Sequence, residues 1–346
     1  MTIKLTTDPR IDPRIKMAFG SFEVPPLPDV ASREEILDAE TTPEGQAGAY
    51  AMKAFMDSFG GEEFAPSSGL TIRTEKFIST PDGNEVQLLF IRPEGQRILP
   101  CVYYIHGGGM QFLSCFDDNY STWGRMIAHE GVAVAMVDFR NAVRPSSAPQ
   151  VAPFPAGLND CVAGFSWVRS YATTLGIDTD HIIIAGESGG GNLALATAMK
   201  LVQSSRAAEI RGVYALCPYI AGKWPLPQYP SSSENDGIFI NLANNRGAMG
   251  YGIDAFNQRD PLAWPAFAQE TNVRGFPETV ISVNECDPLR DEGIEFYRLL
   301  VRAGVQARCR QVMGTSHGIE VFLSCCPDIS RDTARDIAGL AGSRRP

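Results

Sequence analysis

Residues 185–194, AGESGGGNLA, decide how this chain is interpreted. Four glycines surround a single serine, Ser188, with the apolar run HIII (181–184) before them and the helix-forming stretch LALATAMKLV (193–202) after them. A glycine-rich link between a strand and a helix has two familiar uses. Its amides can bind a phosphate, or it can turn sharply so that a central side chain projects from the sheet. The two uses belong to different functional classes.

The spacing of the glycines favours the sharp turn. Residues 186–190, GESGG, fit G-x-S-x-G, in which the serine is a nucleophile and the glycines relieve a strained backbone. A phosphate-binding loop would require G-x-x-x-x-G-K-[ST], and no lysine follows here; the dinucleotide pattern G-x-G-x-x-G is not matched either. On this motif alone, a glycine turn that only packs a helix against a strand remains an alternative.

A second motif, IHGGGM (105–110), weakens that alternative. A strand that ends in histidine and three glycines is typical of a backbone oxyanion hole, because amides without side chains can point into one cavity. The amide of Gly189, directly after the serine, would complete the hole. We interpret His106 as structural, since it precedes the hole and lies far upstream of the expected base.

A nucleophilic serine needs a general base, which in turn needs a carboxylate to orient it. With a G-x-S-x-G turn, these residues follow in the order serine, acid, histidine. His317, in GTSHG (314–318), is the one histidine after Ser188 and is therefore predicted to be the base.

The acid is expected in VNECDPLRDEG (283–293), where four carboxylates compete: Glu285, Asp287, Asp291 and Glu292. We favour Asp287, because it lies just past the strand-like run TVISVNE and is followed by a proline. Asp291 and Glu292 fall in the first turn of the next predicted helix, where the helix dipole stabilises negative charge.

The hydrophobic pattern predicts an α/β fold. From residue 101 onward, short apolar runs alternate with amphipathic stretches, which indicates a mostly parallel sheet flanked by helices on both faces. Two earlier strand-like runs, 70–79 and 84–93, are joined by an Asp-Gly turn and predict a hairpin. We assign 66–218 and 271–346 to one catalytic domain.

Two segments stand outside this alternation. Residues 1–65, the arm, are Pro-rich at first and then helical in pattern, with Ser32 and Glu35 spaced as a capping box. Residues 219–270, the insertion, are rich in Pro, Gly, Asn and aromatic residues and too long for a structureless loop. We expect the insertion, with the arm helices, to cover the carboxyl edge of the sheet as a cap or lid.

Composition argues against several partners. The formal net charge of −10 would repel nucleic acid and anionic membrane surfaces. No signal-peptide pattern or apolar run of 18 residues is found, so we expect a cytoplasmic protein with no stable membrane association. The eight cysteines lack C-x-x-C spacing and the four histidines lack H-E-x-x-H spacing. We therefore expect buried, unpaired thiols, no metal and no cofactor.

The segments HGGGM (106–110), GESGGGNLA (186–194), DPLRDEG (287–293) and SHG (316–318) resemble the hormone-sensitive-lipase-like family of α/β-hydrolases. The resemblance covers most of the chain from about residue 65 and implies an α/β-hydrolase fold with a helical cap. It implies that Ser188 is the nucleophile, His317 the base and Asp287 its partner. It also implies an oxyanion hole formed by the residues Gly107, Gly108, Gly109 and Gly189, with Gly107 adjacent to the two main donors.

More narrowly, MVDFRNA (136–142), SENDGIFI (233–240), DPLAWPAFA (260–268) and DPLRDEGI (287–294) resemble the branch that contains brefeldin A esterase, a lactone-opening member. The usual family pattern is GDSAG. Here Glu187 and Gly189 replace the aspartate and the alanine, and the sequence does not explain Glu187.

The resemblance implies a serine carboxylic ester hydrolase that forms an acyl-enzyme on a small ester or lactone. Two alternatives stay open: an acyltransferase on the same scaffold, and a small-ligand receptor of the same family that lacks catalysis. A homodimer also stays open. The candidate substrate-binding residues are Met110, Trp224, Phe239 and Trp264, although an aromatic residue in such a segment can equally hold the cap together.

Overall fold

The structure is a computed structural model that describes residues 4–21 and 25–342. Parts of the predicted arm, 1–3 and 22–24, and the end of the predicted catalytic domain, 343–346, lie outside the described residues.

The described chain contains one eight-stranded sheet with the strand order β1-β2-β4-β3-β5-β6-β7-β8. Only β2 runs against the others, because it pairs antiparallel with both β1 and β4 while the remaining pairs are parallel. The predicted mostly parallel sheet and the hairpin are confirmed. The strands are β1 (Leu70–Ile78), β2 (Glu85–Pro93), β3 (Leu99–Ile105), β4 (Ala133–Asp138), β5 (Ile177–Glu187), β6 (Gly212–Leu216), β7 (Glu278–Asn284) and β8 (Ala307–Val312).

Helices cover both faces of the sheet, as predicted. Alternate residues of β3 enter two separate hydrophobic cores, one shared with α6, α8 and α12 and the other with α5 and α13. In the described ranges the helices are α1 (Lys4–Thr7), α2 (Pro13–Phe19), α3 (Arg33–Thr41), α4 (Pro43–Asp57), α5 (Asp118–Ala128), α6 (Ala156–Ser170), α7 (Ala172–Leu175), α8 (Gly189–Gln203), α9 (Ser231–Glu234), α10 (Arg246–Asn257), α11 (Glu270–Val273), α12 (Arg290–Arg302) and α13 (Pro327–Gly342).

The strand order brings the sequence motifs to one edge of the sheet. Ile105 at the end of β3 pairs with Gly186 near the end of β5, so the loops HGGG and GESGG leave the sheet side by side. β7 and β8 end further along the same edge, just before the segments that carry Asp287 and His317. Parallel strands therefore collect residues that are distant in sequence.

The arm and the insertion contact each other. The insertion lies between β6 and β7 and contains α9 and α10, and α11 begins at its last residue, Glu270. The side-chain amide of Asn245 exchanges two hydrogen bonds with the backbone of Val30, at 2.8 and 2.9 Å. Ser32 caps α3 by accepting from the Glu35 amide, but the Glu35 carboxylate accepts from the Ala31 amide, one residue earlier than a capping box requires.

Two expectations drawn from the composition can be compared with the described residues. All eight cysteines are unpaired and seven of them are buried, which confirms the prediction of small buried thiols. Among the residues that the structure describes, no helix is both long enough and apolar enough to cross a bilayer.

Candidate active site

Ser188 lies in a sharp turn between β5 and α8, and the chain is closely packed around this turn. Its φ of 56° and ψ of −117° are strained for a residue with a side chain. The Ser188 amide donates to the Leu216 carbonyl at 2.9 Å, which ties the turn to the end of β6. A Cβ on Gly190 would lie 2.0 Å from the Ile105 carbonyl oxygen, so a glycine is required where α8 meets β3. The glycine spacing therefore reflects steric contact.

Ser188, His317 and Asp287 lie in one chain of hydrogen bonds. The Nε2 atom of His317 is 2.9 Å from Ser188 Oγ, and its Nδ1 atom is 2.8 Å from Asp287 Oδ2. Because a carboxylate only accepts, Nδ1 carries the proton and Nε2 is left to accept from the serine hydroxyl. All three residues are buried. This is the arrangement that activates a serine for nucleophilic attack.

The structure distinguishes the four candidate acids. Asp287 alone reaches His317, and its second oxygen accepts from the Leu289 amide at 2.8 Å. The other three carboxylates accept from backbone amides elsewhere: Glu285 from Gly314, Asp291 from Ser231, and Glu292 from Ile220 and Ala221.

Electrostatics favour a protonated His317 during a reaction. Burial by itself lowers the pKa of His317, but the Asp287 carboxylate and its hydrogen bond to the ring overcome this effect and raise the pKa above its usual value. The ring can therefore take a proton from Ser188 and hold it next to a buried negative charge.

The loop after β3, residues 107–113, is called the oxyanion loop below, after the role that the sequence predicts for its glycines. Gly108 and Gly109 have φ values of 92° and 59°, and a Cβ on Gly108 would lie 2.0 Å from the Phe112 carbonyl oxygen. A Cβ on Gly189 would lie 2.7 Å from the Gly109 nitrogen, so the loop passes directly over the residue after the nucleophile. In the described part of the chain, the amides of Gly108, Gly109 and Gly189 donate to no protein acceptor.

The amide of Gly107 is engaged elsewhere, although Gly107 was included in the predicted oxyanion hole. Its amide donates to the Tyr120 hydroxyl oxygen at 3.0 Å, so it is not free to bind an oxyanion. Gly107 instead attaches the oxyanion loop to α5. The resemblance placed Gly107 beside the two main donors, and the sequence could not show that a partner 13 residues away uses its amide.

Sequence reasoning missed Tyr120 and left Glu187 unexplained. The Tyr120 hydroxyl lies 2.8 Å from Glu187 Oε2, and both side chains are buried. Burial raises the pKa of Glu187 to about 7. Nothing in the sequence links two residues that are 67 positions apart.

His106 is held inside the sheet edge. Its ring stacks on Phe139 with centroids 4.4 Å apart, and its Nδ1 donates to the Gly107 carbonyl at 3.0 Å. These contacts fit the structural interpretation. Asp138, at the end of β4, accepts from the amides of Cys115 and Ser147, and so connects the segment directly after the oxyanion loop to the segment that follows β4.

The predicted substrate-binding residues are packed in the interior. Trp264 is fully buried among the aromatic rings of the insertion, 5.8 Å from Tyr219 and 6.3 Å from Trp224. Trp224 stacks on Tyr219 and donates through Nε1 to Glu292 at 2.6 Å. These contacts fit the alternative in which Trp224 and Trp264 hold the cap together, and a role in binding substrate stays a prediction.

Phe239 and Met110 are also buried. The Phe239 ring lies 4.9 Å from Phe19 and 5.2 Å from Phe322, in a cluster that joins the insertion to the arm. Met110 belongs to the oxyanion loop, and its carbonyl accepts from the Ala142 amide at 2.9 Å. Phe239 thus has a packing role, whereas a role of Met110 in binding substrate stays a prediction.

Glu187, Cys217 and His317 place potential metal-ligand atoms within 4.8 Å of one another. Both ring nitrogens of His317 are engaged, one with Ser188 and the other with Asp287. Neither ring nitrogen of His317 is therefore left to bind a metal, and the absence of a metal stays a prediction.

Residues 102–321 match the family model described as alpha/beta hydrolase fold. The chain therefore belongs to the α/β-hydrolases, and specifically to their hormone-sensitive-lipase-like family. The solved structure of esterase Est22 is 59% identical, covers 98% of this chain and 100% of its own, and superposes with a TM-score of 0.96.

Two further proteins place the chain among esterases. Brefeldin A esterase, described as a bacterial homologue of human hormone sensitive lipase, is 37% identical with a TM-score of 0.86, covering 97% of this chain and 94% of its own. Esterase LipI of Mycobacterium tuberculosis is 30% identical over 71% of this chain and 73% of its own length. The likeness to brefeldin A esterase, which the sequence motifs indicated, therefore extends over the whole fold.

Proposed function

We propose that this carboxylesterase works through an acyl-enzyme on Ser188. The observation that carries the proposal is the buried chain of hydrogen bonds from Asp287 through His317 to Ser188, at 2.8 and 2.9 Å. In this proposal His317 is the general base and then the general acid, and Asp287 holds its tautomer and orientation.

The reaction follows from this geometry in two halves. Ser188 Oγ attacks the ester carbonyl as His317 Nε2 takes its proton, and the imidazolium then gives that proton to the leaving alcohol. Water enters, loses a proton to Nε2 and attacks the acyl-enzyme; the proton returns to Ser188 as the acid leaves. For a lactone, the alcohol and the acid stay in one molecule, so the product is a single hydroxy acid.

The proposed oxyanion hole consists of the amides of Gly108, Gly109 and Gly189. Two observations support it: the oxyanion loop lies against Gly189, and none of these amides has a protein acceptor in the described ranges. Preorganised donors of this kind are typically worth a factor of ~10²–10³ each in rate.

The esterases among the relatives support an ester as the substrate, and the likeness to brefeldin A esterase supports including lactones.

An acyltransferase would use the same acyl-enzyme, and an added alcohol that is converted to a new ester would reveal it. The hydrogen-bonded Ser188, His317 and Asp287 argue against a receptor without catalysis. A cytoplasmic location, a homodimer and the lack of nucleic-acid partners stay predictions.

The first prediction tests the nucleophile. Ser188→Ala should reduce turnover of p-nitrophenyl acetate and butyrate by at least about 10³-fold, because the covalent step is lost and only the remaining donors act. Release of p-nitrophenol measures this.

Ser170→Ala is the matched control, since Ser170 is an exposed helix residue whose hydroxyl only bonds the backbone of its own helix. It should keep wild-type activity. If Ser188→Ala retains more than a hundredth of wild-type turnover with an unchanged circular dichroism spectrum, Ser188 is not the nucleophile.

A further inference from the structure

Glu187 is the residue directly before the proposed nucleophile, and its carboxyl group points into the protein. The residue is 4% exposed. A Cβ built on Gly107 would lie 2.2 Å from Glu187 Oε2, so the backbone of the oxyanion loop runs directly over this oxygen. A buried carboxyl group is costly unless it is hydrogen-bonded. Its partners therefore indicate why it is there.

Two hydrogen bonds connect Glu187 to the oxyanion loop. The Gly107 amide donates to the Tyr120 oxygen at 3.0 Å, and the Tyr120 oxygen lies 2.8 Å from Glu187 Oε2. A phenol has a single proton, and the amide already acts as the donor in the first bond, so this proton is directed to Glu187. Oε2 accepts it whether or not the other oxygen of the carboxyl group is protonated.

The remaining contacts of the loop show what this connection adds. At its far end, the Met110 and Gln111 carbonyls accept from the amides of Ala142 and Arg144, each at 2.9 Å. At its start, the Gly107 carbonyl accepts from His106, and the Gly107 amide is held by Tyr120. Gly108 and Gly109 lie between these two ends. The Gly108 carbonyl accepts from the Gln111 and Phe112 amides inside the loop, at 3.0 and 3.2 Å, but neither glycine has a side chain that could fix it. Because glycine is the most flexible residue in a chain, the positions of these two amides depend on the contacts at the ends of the loop as well as on this internal turn.

We propose that Glu187 and Tyr120 are positioning residues: through Gly107 they set where the Gly108 and Gly109 amides stand relative to Ser188. Because Glu187 is bonded to Ser188 in the chain, one residue fixes both the nucleophile and the donors that must meet the same carbonyl group. The inference deepens the proposed function and rests on it. It also gives a role to the glutamate that replaces the usual aspartate of the family.

Three variants test the proposal. Tyr120→Phe removes both hydrogen bonds, and Glu187→Ala removes the acceptor. For p-nitrophenyl butyrate we expect kcat to fall at least tenfold in each, with KM changed less than threefold, because the oxyanion hole acts on the transition state. Glu187→Gln keeps an oxygen that accepts from Tyr120, so its kcat should stay within threefold of wild type. A role in stability alone predicts neither the separation of kcat from KM nor the rescue by glutamine.

Tyr103→Phe is the matched control. Tyr103 is a buried tyrosine of β3 whose hydroxyl donates to the Cys161 carbonyl at 2.8 Å, away from the oxyanion loop. It should lose thermal stability as Tyr120→Phe does and keep its kcat. If Tyr120→Phe and Tyr103→Phe have the same kcat, or if Glu187→Gln falls as far as Glu187→Ala, the proposal is wrong.

Hydrogen exchange separates this proposal from the proposed function. Amides in the segment 108–113 should exchange at least tenfold faster in Tyr120→Phe and Glu187→Ala than in wild type, and at the wild-type rate in Tyr103→Phe. If wild type hydrolyses no ester, the proposed function fails, and this comparison still shows whether Glu187 and Tyr120 hold the loop. Unchanged exchange in both variants would contradict the positioning role even in an active enzyme.

Discussion

At the scale of single residues, the roles of the acidic side chains depend on which donors reach them. Glu285, Asp287 and Glu292 lie within eight residues of one another and are all acidic. Only Asp287 meets an imidazole, whereas Glu292 accepts from two backbone amides and the Trp224 indole. The same type of residue thus orients a base at one position and anchors the insertion at another.

The pH dependence of stability should carry a contribution from Glu187. Burial raises the pKa of Glu187 to about 7, above the 4.5 of an exposed glutamate, so the folded chain holds this proton more tightly than the unfolded chain. The resulting stabilisation is complete below about pH 4.5 and is lost as the pH rises through 7. Relative to Glu187→Gln, wild type should lose up to about 3 kcal/mol of unfolding free energy across this interval.

Urea unfolding of both proteins at pH 5 and pH 8 measures this difference. The other titrating groups are shared by the two proteins and largely cancel. A difference in unfolding free energy that is the same at both pH values would show that Glu187 does not take up a proton in the folded state.

At the scale of elements, the contact between β3 and α8 determines how precisely the two active-site loops meet. Gly186 and Gly190 both lie at this junction, where a Cβ on Gly186 would be 2.2 Å from the Gly190 carbonyl oxygen. The close approach brings the oxyanion loop over Gly189. The glycines therefore matter as contact surfaces between elements as well as for the backbone angles of the turn.

Gly190→Ala should destabilise the protein strongly. The added methyl group would lie 2.0 Å from the Ile105 carbonyl oxygen and 2.5 Å from that of His106, both of them backbone atoms that cannot rotate away. We expect a loss of about 3 kcal/mol or more, or insoluble protein. Thermal unfolding followed by circular dichroism measures it.

The control is Gly339→Ala in α13, where a Cβ would meet no atom within 4 Å. Alanine is the better helix former there, so stability should rise by up to about 1 kcal/mol. Equal melting temperatures for the two variants would contradict the steric argument.

At the scale of the whole molecule, aromatic contacts join the arm to the rest of the chain. Phe19 of α2 is completely buried, with its ring 5.1 Å from Phe59, 4.9 Å from Phe239 and 5.4 Å from Phe322. These partners belong to the segment after α4, the insertion and the segment that follows His317. One side chain thus links three distant parts of the sequence.

Phe19→Ala should lower the free energy of unfolding by about 3–5 kcal/mol, because it leaves a cavity among rings that cannot collapse together. Urea denaturation measures the loss. Met17→Ala on the same helix is the control: Met17 is 83% exposed, and its change should stay within about 0.5 kcal/mol. If Phe19→Ala costs no more than Met17→Ala, the arm is not held by this cluster.

The sequence by itself determined the features that depend on local geometry or on chain order. The alternation of apolar runs predicted the sheet and its helices, and the glycine spacing predicted a sharp turn at Ser188. Counting alone identified His317, because only one histidine follows the serine. These features can be predicted from the sequence because each of them depends on neighbouring residues or on a fixed order along the chain.

Only the tertiary structure decided which groups meet across long distances in the chain. It brought Asp287, which the sequence had favoured among four acids, into contact with His317; it used the Gly107 amide for Tyr120 and buried Trp264 in the insertion. It also explained Glu187, through a partner 67 residues away. A buried polar group needs a hydrogen-bond partner, and the tertiary packing determines which residue that partner is. Because the partner can be far away along the chain, no local sequence pattern predicts it.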